Sequence, residues 1–417
     1  MPRATPGWRA RVFGLTWLSY FSFYQSRKNF SVVKKSLESE GVATRDELAV
    51  IDTTYLASYA VGQFVWGTLA DRVSARRMLA VGMLGSAAMG VLFGLSDTAA
   101  AVALFFGING LFQSIGWPAN GRITASWFST RERGEVMGWW GTCYQVGPVV
   151  AKLAAGWLLV RYGWRWAMFG PAAWTATAGI AIYLLVRDRP EDVGFEATDE
   201  PLPDDAEARR ELRRAAFWGL LTAPRLWLLG SAYACIKLMR YSLWFWLPYY
   251  FSTSLGYADD TAAYMSTSFD IGGVVGVVGS GILADRVLGR RRIGTAVAMM
   301  VLLAGALGLY SLVGASSPLA NFLSMMLVGA LLFGPDALVS GAAAQDAGGA
   351  HAAAAGCGFV NGIGSIGGAM EGLVTVAVAE TLGWGALFYV FMGLALASAA
   401  LLVPLARWRP GTATSST

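Results

Sequence analysis

Charge is scarce in this 417-residue chain: Asp, Glu, Lys and Arg together make up 14% of it, against 55% hydrophobic residues. A soluble protein of this length needs roughly 25% charged residues to cover its surface, so a water-soluble globule is excluded. Histidine is scarcer still, with His351 the single example, which removes most histidine-based catalysis and metal chemistry. The cysteines Cys143, Cys235 and Cys357 all fall in apolar segments, with neither a metal spacing nor a disulfide framework, and read as packing residues. No nucleophile–base pair or metal cluster is present, so neither an enzyme nor a cofactor is expected. The first apolar run leads into Arg27-Lys28 with no small-residue cleavage site behind it, so a signal peptide is not expected.

What is abundant fits a membrane. There are 51 glycines, as close helix packing in lipid requires, and 17 tryptophans, many at the ends of apolar runs, where their rings suit the headgroup level. Apolar windows of about 19 residues predict an all-α membrane protein with twelve spans. They fall near 11–34, 48–71, 77–95, 98–126, 133–160, 164–186, 225–254, 261–284, 293–314, 317–344, 350–379 and 384–406. The charged, proline-bearing stretch 187–224 divides them into two six-helix bundles, 1–186 and 225–408, with 409–417 as a tail. It reads as a cytoplasmic linker carrying a short surface helix. With the N-terminus in the cytoplasm, 21 of the 32 Lys and Arg fall on the cytoplasmic side and 5 outside (Lys34, Lys35, Arg45, Arg161 and Arg165), leaving 6 within spans. This is the positive-inside pattern. A multi-pass inner-membrane protein with both termini cytoplasmic is expected. The net charge of +5 is explained by topology, not by a nucleic-acid partner.

The two halves repeat each other. GTLADRVSARR begins at Gly67 and GILADRVLGRRR at Gly281, 214 positions later. Each follows the second span of its half. Gly67 and Gly281 would permit close helix approach, while Asp71, Arg72, Asp285 and Arg286 can pair and cap neighbouring helix ends. The pattern resembles the signature loop of the major facilitator superfamily, whose parallel halves rock about a midplane site.

The six intramembrane cations are Arg27, Lys28, Arg122, Lys152, Lys237 and Arg240. Each costs about 2.5–3.5 kcal/mol at mid-span and needs a partner, a cavity or a route to the surface. Arg122 and Lys152 lie near span ends and are expected to snorkel. Arg27 and Arg240 lie 213 positions apart, matching the repeat to within one residue, which would bring one arginine from each half to a central cavity. The guanidinium fork suits phosphate oxygens and stays charged at any working pH. A structural ion pair is the alternative. Lys237 shares a helix face with Arg240, and Tyr241 and Trp244 extend it. Tyr20 and Tyr24 precede Arg27, while Tyr55, Tyr59 and Gln63 form one stripe and Asn109, Gln113 and Trp117 another. Such stripes are usually packing, but the polar members suggest a wet cavity. Of the intramembrane acids Asp52, Asp270, Asp336 and Glu371, Asp270 is expected to pair with Lys237 or Arg240 in the empty carrier. A permanent structural pair is equally open. The glycine run Gly358–Gly368 lies in a span, so close packing explains it better than a nucleotide fold.

At YQSRKNFSVVKKSL (Tyr24–Leu37) the chain resembles the organophosphate:phosphate antiporters. The likeness continues through SYAVGQFVWGTLADR, GLFQSIGWPANGRITASWF, RPEDVGF, LMRYSLWFWLP, GPDALV and NGIGSIGG. The resemblance implies that Arg27 and Arg240 bind substrate phosphate, that Tyr24, Tyr59 and Tyr241 line the site, and that Asp270 holds an acidic family position. It implies exchange of inorganic phosphate for an organic phosphate, without ATP, by a carrier expected to be a monomer in the bilayer. Two departures stand out: Gln63 occupies a position where several members have lysine, and Tyr144 one that is histidine in the glycerol-3-phosphate transporter. Lys237 could replace the first charge. Two rival readings are a proton-coupled carboxylate symporter and a transporter-like sensor.

Overall fold

The computed structural model describes residues 5–69, 73–128, 136, 139–196, 223–284, 291–344 and 359–406. Among them the secondary structure is entirely helical. In chain order the long helices are α1 (Pro6–Ser39), α2 (Arg45–Leu69), α3 (Ala75–Gly94), α4 (Ala99–Gln113), α5 (Gly116–Trp127), α6 (Cys143–Tyr162) and α7 (Trp166–Leu185). After the linker come α8 (Pro224–Thr253), α9 (Asp259–Ile282), α10 (Arg292–Val313) and α11 (Pro318–Ala337), then α12 (Phe359–Thr381) and α13 (Trp384–Leu402). Helices α4 and α5 together form one span, Ala99–Thr124, interrupted at Ser114-Ile115. The predicted spans are all represented.

Nine of these segments are long and apolar enough to cross a membrane by length and composition. Helices α1, α2 and α8 are as long, but they are the ones that carry Arg27, Lys28, Lys34, Asp52, Lys237 and Arg240. In α1 every residue from Ser19 to Lys34 is buried. A helix so rich in polar groups survives inside because its hydroxyls turn back on its own backbone: Ser22 Oγ donates to Leu18 O at 2.7 Å and Ser31 Oγ to Lys28 O at 2.7 Å. The peripheral helices show the reverse pattern, with Leu302 and Leu312 on α10 and Leu184 on α7 exposed. Apolar faces of this kind meet lipid.

The chain divides into two compact units, Met1–Pro203 with Phe245–Thr267, and Asp204–Trp244 with Ser268–Thr417. The division therefore departs from the linker, because the second part of α8 and the first part of α9 pack with the first unit. Within that unit Lys28 Nζ sits 4.0 Å from the Phe245 ring centroid, and Lys35 pairs with Asp259 at 3.0 Å.

Glycine sets the closest helix approaches, and it does so alike in each unit. In the first, a Cβ at Gly110 on α4 would lie 2.5 Å from the Tyr55 carbonyl oxygen on α2. In the second, a Cβ at Gly329 on α11 would lie 2.2 Å from the Phe269 carbonyl oxygen on α9. Tyr55 and Phe269 are 214 positions apart, the spacing of the sequence repeat. Glycines of the run after Gly358 pack α12 onto α8: a Cβ at Gly367 would come 2.1 Å from Ala234 O. At Gly281 no described residue lies within 4 Å of where a Cβ would stand. Gly67 lies in α2, while Asp71, Arg72, Asp285 and Arg286 lie outside the described residues, as do His351 and Cys357. Of the linker, a short turn of helix at Pro190–Val193 is described, preceded by Asp188, whose carboxylate accepts from Arg76 N at 2.6 Å. The expected surface helix falls outside the described residues.

Candidate functional site

In the first unit the site residues gather around Arg27. Its guanidinium lies 4.8 Å from the Tyr59 ring centroid, 5.2 Å from Tyr24 and 5.7 Å from Tyr55. Its Nε donates to Gln113 Oε1 at 2.9 Å. The same oxygen accepts from Tyr55 OH at 3.2 Å, while Gln113 Nε2 donates to Ser86 Oγ at 3.2 Å. Ser86 in turn donates to Asn109 Oδ1 at 2.6 Å, and Asn109 Nδ2 to the Ser26 carbonyl at 3.0 Å. The chain of bonds fixes the Gln113 amide with its oxygen toward the arginine and closes on α1 itself. Arg27 is buried, with 8% exposure, and among the described residues no carboxylate pairs with it.

Tyr144 stands one layer away, with its ring centroid 4.9 Å from Tyr20 and 6.3 Å from Tyr24, inside an aromatic cluster that includes Trp117 and Trp140. A Cβ at Gly147 would meet the Tyr24 ring at 2.8 Å, so α6 presses that ring toward Arg27. Gln63 is half-buried and donates to the Ser114 carbonyl at 3.3 Å, at the break between α4 and α5.

In the second unit Arg240 is held differently. Its Nη1 donates to Asp336 Oδ2 at 2.6 Å, and its guanidinium lies 4.8 Å from Trp244, 5.0 Å from Phe333 and 5.3 Å from Tyr241. Phe333 and Asp336 are three apart on α11, so the ring and the carboxylate arrive from one face. Pro335 lies between them and removes a backbone donor, and α11 continues into a wider turn at Leu338–Ala343. The carboxylate shown on Arg240 is thus Asp336, whereas Asp270 accepts from Trp244 Nε1 at 2.6 Å. Lys237 turns to α12, donating to Ser365 Oγ at 3.0 Å and to the Asn361 carbonyl at 3.4 Å.

Two expectations about lysines need correction. Lys34, expected in an outer loop, lies instead in α1, which runs on to Ser39, and is fully buried in an ion pair with Asp52. Its ammonium lies 3.4 Å from the Trp246 ring centroid. Lys152 does not snorkel. It is fully buried, and its Nζ donates to the Ser266 carbonyl at 3.3 Å, so a backbone oxygen replaces water. Arg122 reaches the Val73 carbonyl at 2.7 Å, in keeping with a place near a span end. The residues singled out too weakly by sequence are Tyr55, Ser86 and Phe333. Tyr55 stood on a recognised stripe, whereas nothing in the sequence set apart Ser86 or Phe333.

The fold and these buried cations define a polytopic membrane transporter, and the comparisons agree. The Major Facilitator Superfamily model matches residues 16–371. A putative glycerol-3-phosphate transporter 2 of Arabidopsis thaliana is 33% identical over 439 residues, covering 95% of this chain and 86% of that one. Sugar phosphate exchanger 3 of Gallus gallus is 30% identical over 460 residues, covering 94% and 91%. The membrane sensor protein UhpC of Escherichia coli (strain K12) is 29% identical over 407 residues, covering 95% and 92%. Among solved structures, an inward-facing, unoccupied bacterial homolog of the human lysosomal transporter Spinster aligns with a TM-score of 0.71 at 15% identity, over 98% of this chain and all of that one, which supports the fold alone. The chain belongs to the major facilitator superfamily and, within it, to the organophosphate:phosphate antiporter family.

Proposed function

We propose that the protein is a secondary active transporter that exchanges a small organophosphate for inorganic phosphate by alternating access. The organophosphate would be a sugar phosphate, glycerol phosphate or phosphoglycerate. The protein acts as a monomer in the inner membrane with both termini cytoplasmic, and its two six-helix halves, 1–186 and 225–408, are the moving bodies. Arg27 and Arg240 are the phosphate ligands, with Tyr24, Tyr59, Gln113 and Tyr241 shaping their surroundings. Lys237, Gln63 and Tyr144 adjust the substrate's remaining groups. Asp270 orients Trp244 beside Arg240.

The observation that carries the reading is Arg27. A buried guanidinium whose partners among the described residues are all neutral is an unfavourable arrangement in an apolar medium, and an anion is the partner that would relieve it. Tyrosine rings and Gln113 hold the fork in place without neutralising it, so the charge stays available. The position of Arg240 at the repeat spacing, and the names of the similar transporters, support phosphate as that anion.

The test is binding and flux on the purified protein. Labelled phosphate should bind and exchange saturably in proteoliposomes, and one organophosphate from a panel should compete while dicarboxylates do not. Competition by dicarboxylates, with flux collapsing when the pH gradient is removed, would favour a proton-coupled carboxylate symporter. The similarity to a membrane sensor protein favours one second reading, a receptor for phosphorylated sugars. Ligand binding without any flux would support it.

A further inference from the structure

The two arginines at matching repeat positions differ in what holds them. Arg27 donates to a neutral amide oxygen at 2.9 Å, and among the described residues no acid pairs with it. Arg240 donates to a carboxylate at 2.6 Å. Both sit among aromatic rings, so the difference lies in the counter-charge. An incoming phosphate can add to Arg27 directly. At Arg240 it meets a site already occupied.

We propose that Asp336 is a built-in competitor of substrate: it holds Arg240 in the empty carrier, and phosphate must displace it to bind there. This rests on the proposed phosphate-binding role of Arg240. The geometry suits displacement better than a permanent lock. The side chains of Arg240 and Asp336 keep 14% and 11% exposure, unlike the fully buried Lys34–Asp52 pair, so a ligand can reach them. Asp336 also lies just before the wider turn at Leu338–Ala343, and such irregular turns accompany functional sites and permit local re-aiming. Phe333 stays against Arg240 by its own packing on Phe269, 5.2 Å between ring centroids, so the arginine keeps an aromatic wall when the carboxylate leaves.

The consequence concerns turnover. A carrier with two uncompensated arginines would hold a dianion tightly and release it slowly. A resident carboxylate lowers affinity and speeds release, because Asp336 returns to Arg240 as phosphate departs. Asp336 is therefore a positioning residue acting through Arg240.

The test measures equilibrium binding of inorganic phosphate to purified full-length protein, alongside exchange in proteoliposomes. Asp336→Asn should bind phosphate about 10- to 100-fold more tightly, the equivalent of one charge-assisted hydrogen bond released, and should exchange it more slowly at saturation. In an Arg240→Gln background the same substitution should not tighten binding at all. If Asp336→Asn does not fold, Asp336→Ser takes its place. Failure of both to fold would show that the pair is a structural lock and overturn the proposal. Folded Asp336→Asn that binds no more tightly than the parent would overturn it too, while leaving the phosphate-transport reading intact. Absence of phosphate binding in the parent and the variant alike would refute that reading and the proposal with it.

Discussion

Replacing Arg27 with lysine keeps the charge and removes the fork, and the structure sets the size of the effect. Among the described residues Arg27 commits Nε alone, to Gln113 Oε1 at 2.9 Å, which leaves its two terminal nitrogens for the ligand. Lysine offers a single ammonium and reaches phosphate as a point charge. The ammonium can still face the rings of Tyr24 and Tyr59, so the cation–π contribution largely persists. Gln113 Oε1 keeps its donor from Tyr55 OH at 3.2 Å, so no buried acceptor is orphaned. The net loss is one charge-assisted hydrogen bond to phosphate, about 1.5–3 kcal/mol, or roughly 10- to 150-fold in affinity. Titration calorimetry of phosphate into parent and Arg27→Lys, with thermal unfolding as a folding control, measures it. Binding within about twofold of the parent, in a variant of unchanged stability, would refute the assignment of Arg27 as a two-pronged phosphate ligand.

Three further outcomes follow from the packing. Lys34→Ala or Asp52→Ala should each lower stability by about 3–5 kcal/mol, because each strands a buried charge, and the double variant should lose clearly less than the sum. Thermal unfolding in detergent reads this cycle, and additive losses would contradict the pair. Gly329→Ala should lower stability by about 1–3 kcal/mol, since its Cβ would fall 2.2 Å from Phe269 O. Gly279→Ala, where a Cβ meets no described residue within 4 Å, should leave the unfolding temperature unchanged or raise it slightly, alanine being the better helix former.

Much of this architecture is legible in sequence because lipid imposes simple rules. Apolar runs, the distribution of Lys and Arg and the duplicated DR motif mark the spans and their repeat, and Arg27 stands out because a charge at mid-span is rare. Partners across helices are harder to read. Spacing puts Lys237 and Arg240 on one face of α8, but which acid meets Arg240 depends on how α11 and α9 pack on that face. Asp336 arrives beside Phe333 and Pro335, while Asp270 goes to an indole. Lys34 looked like a loop residue because hydropathy ends a span at the first charged cluster, whereas α1 continues and buries it against Asp52. Lys152 departs from expectation for a related reason: a backbone carbonyl from Ser266 satisfies it, and no sequence pattern announces a carbonyl.

The central claim is obligatory exchange of phosphate for an organophosphate, and counterflow tests it most directly. Proteoliposomes loaded with unlabelled phosphate are compared with empty ones for uptake of labelled phosphate, at equal pH on both sides. The account predicts rapid saturable uptake into loaded vesicles, almost none into empty ones, and inhibition by the preferred organophosphate from outside. Equal uptake into empty vesicles, or none into either by folded protein, would contradict it.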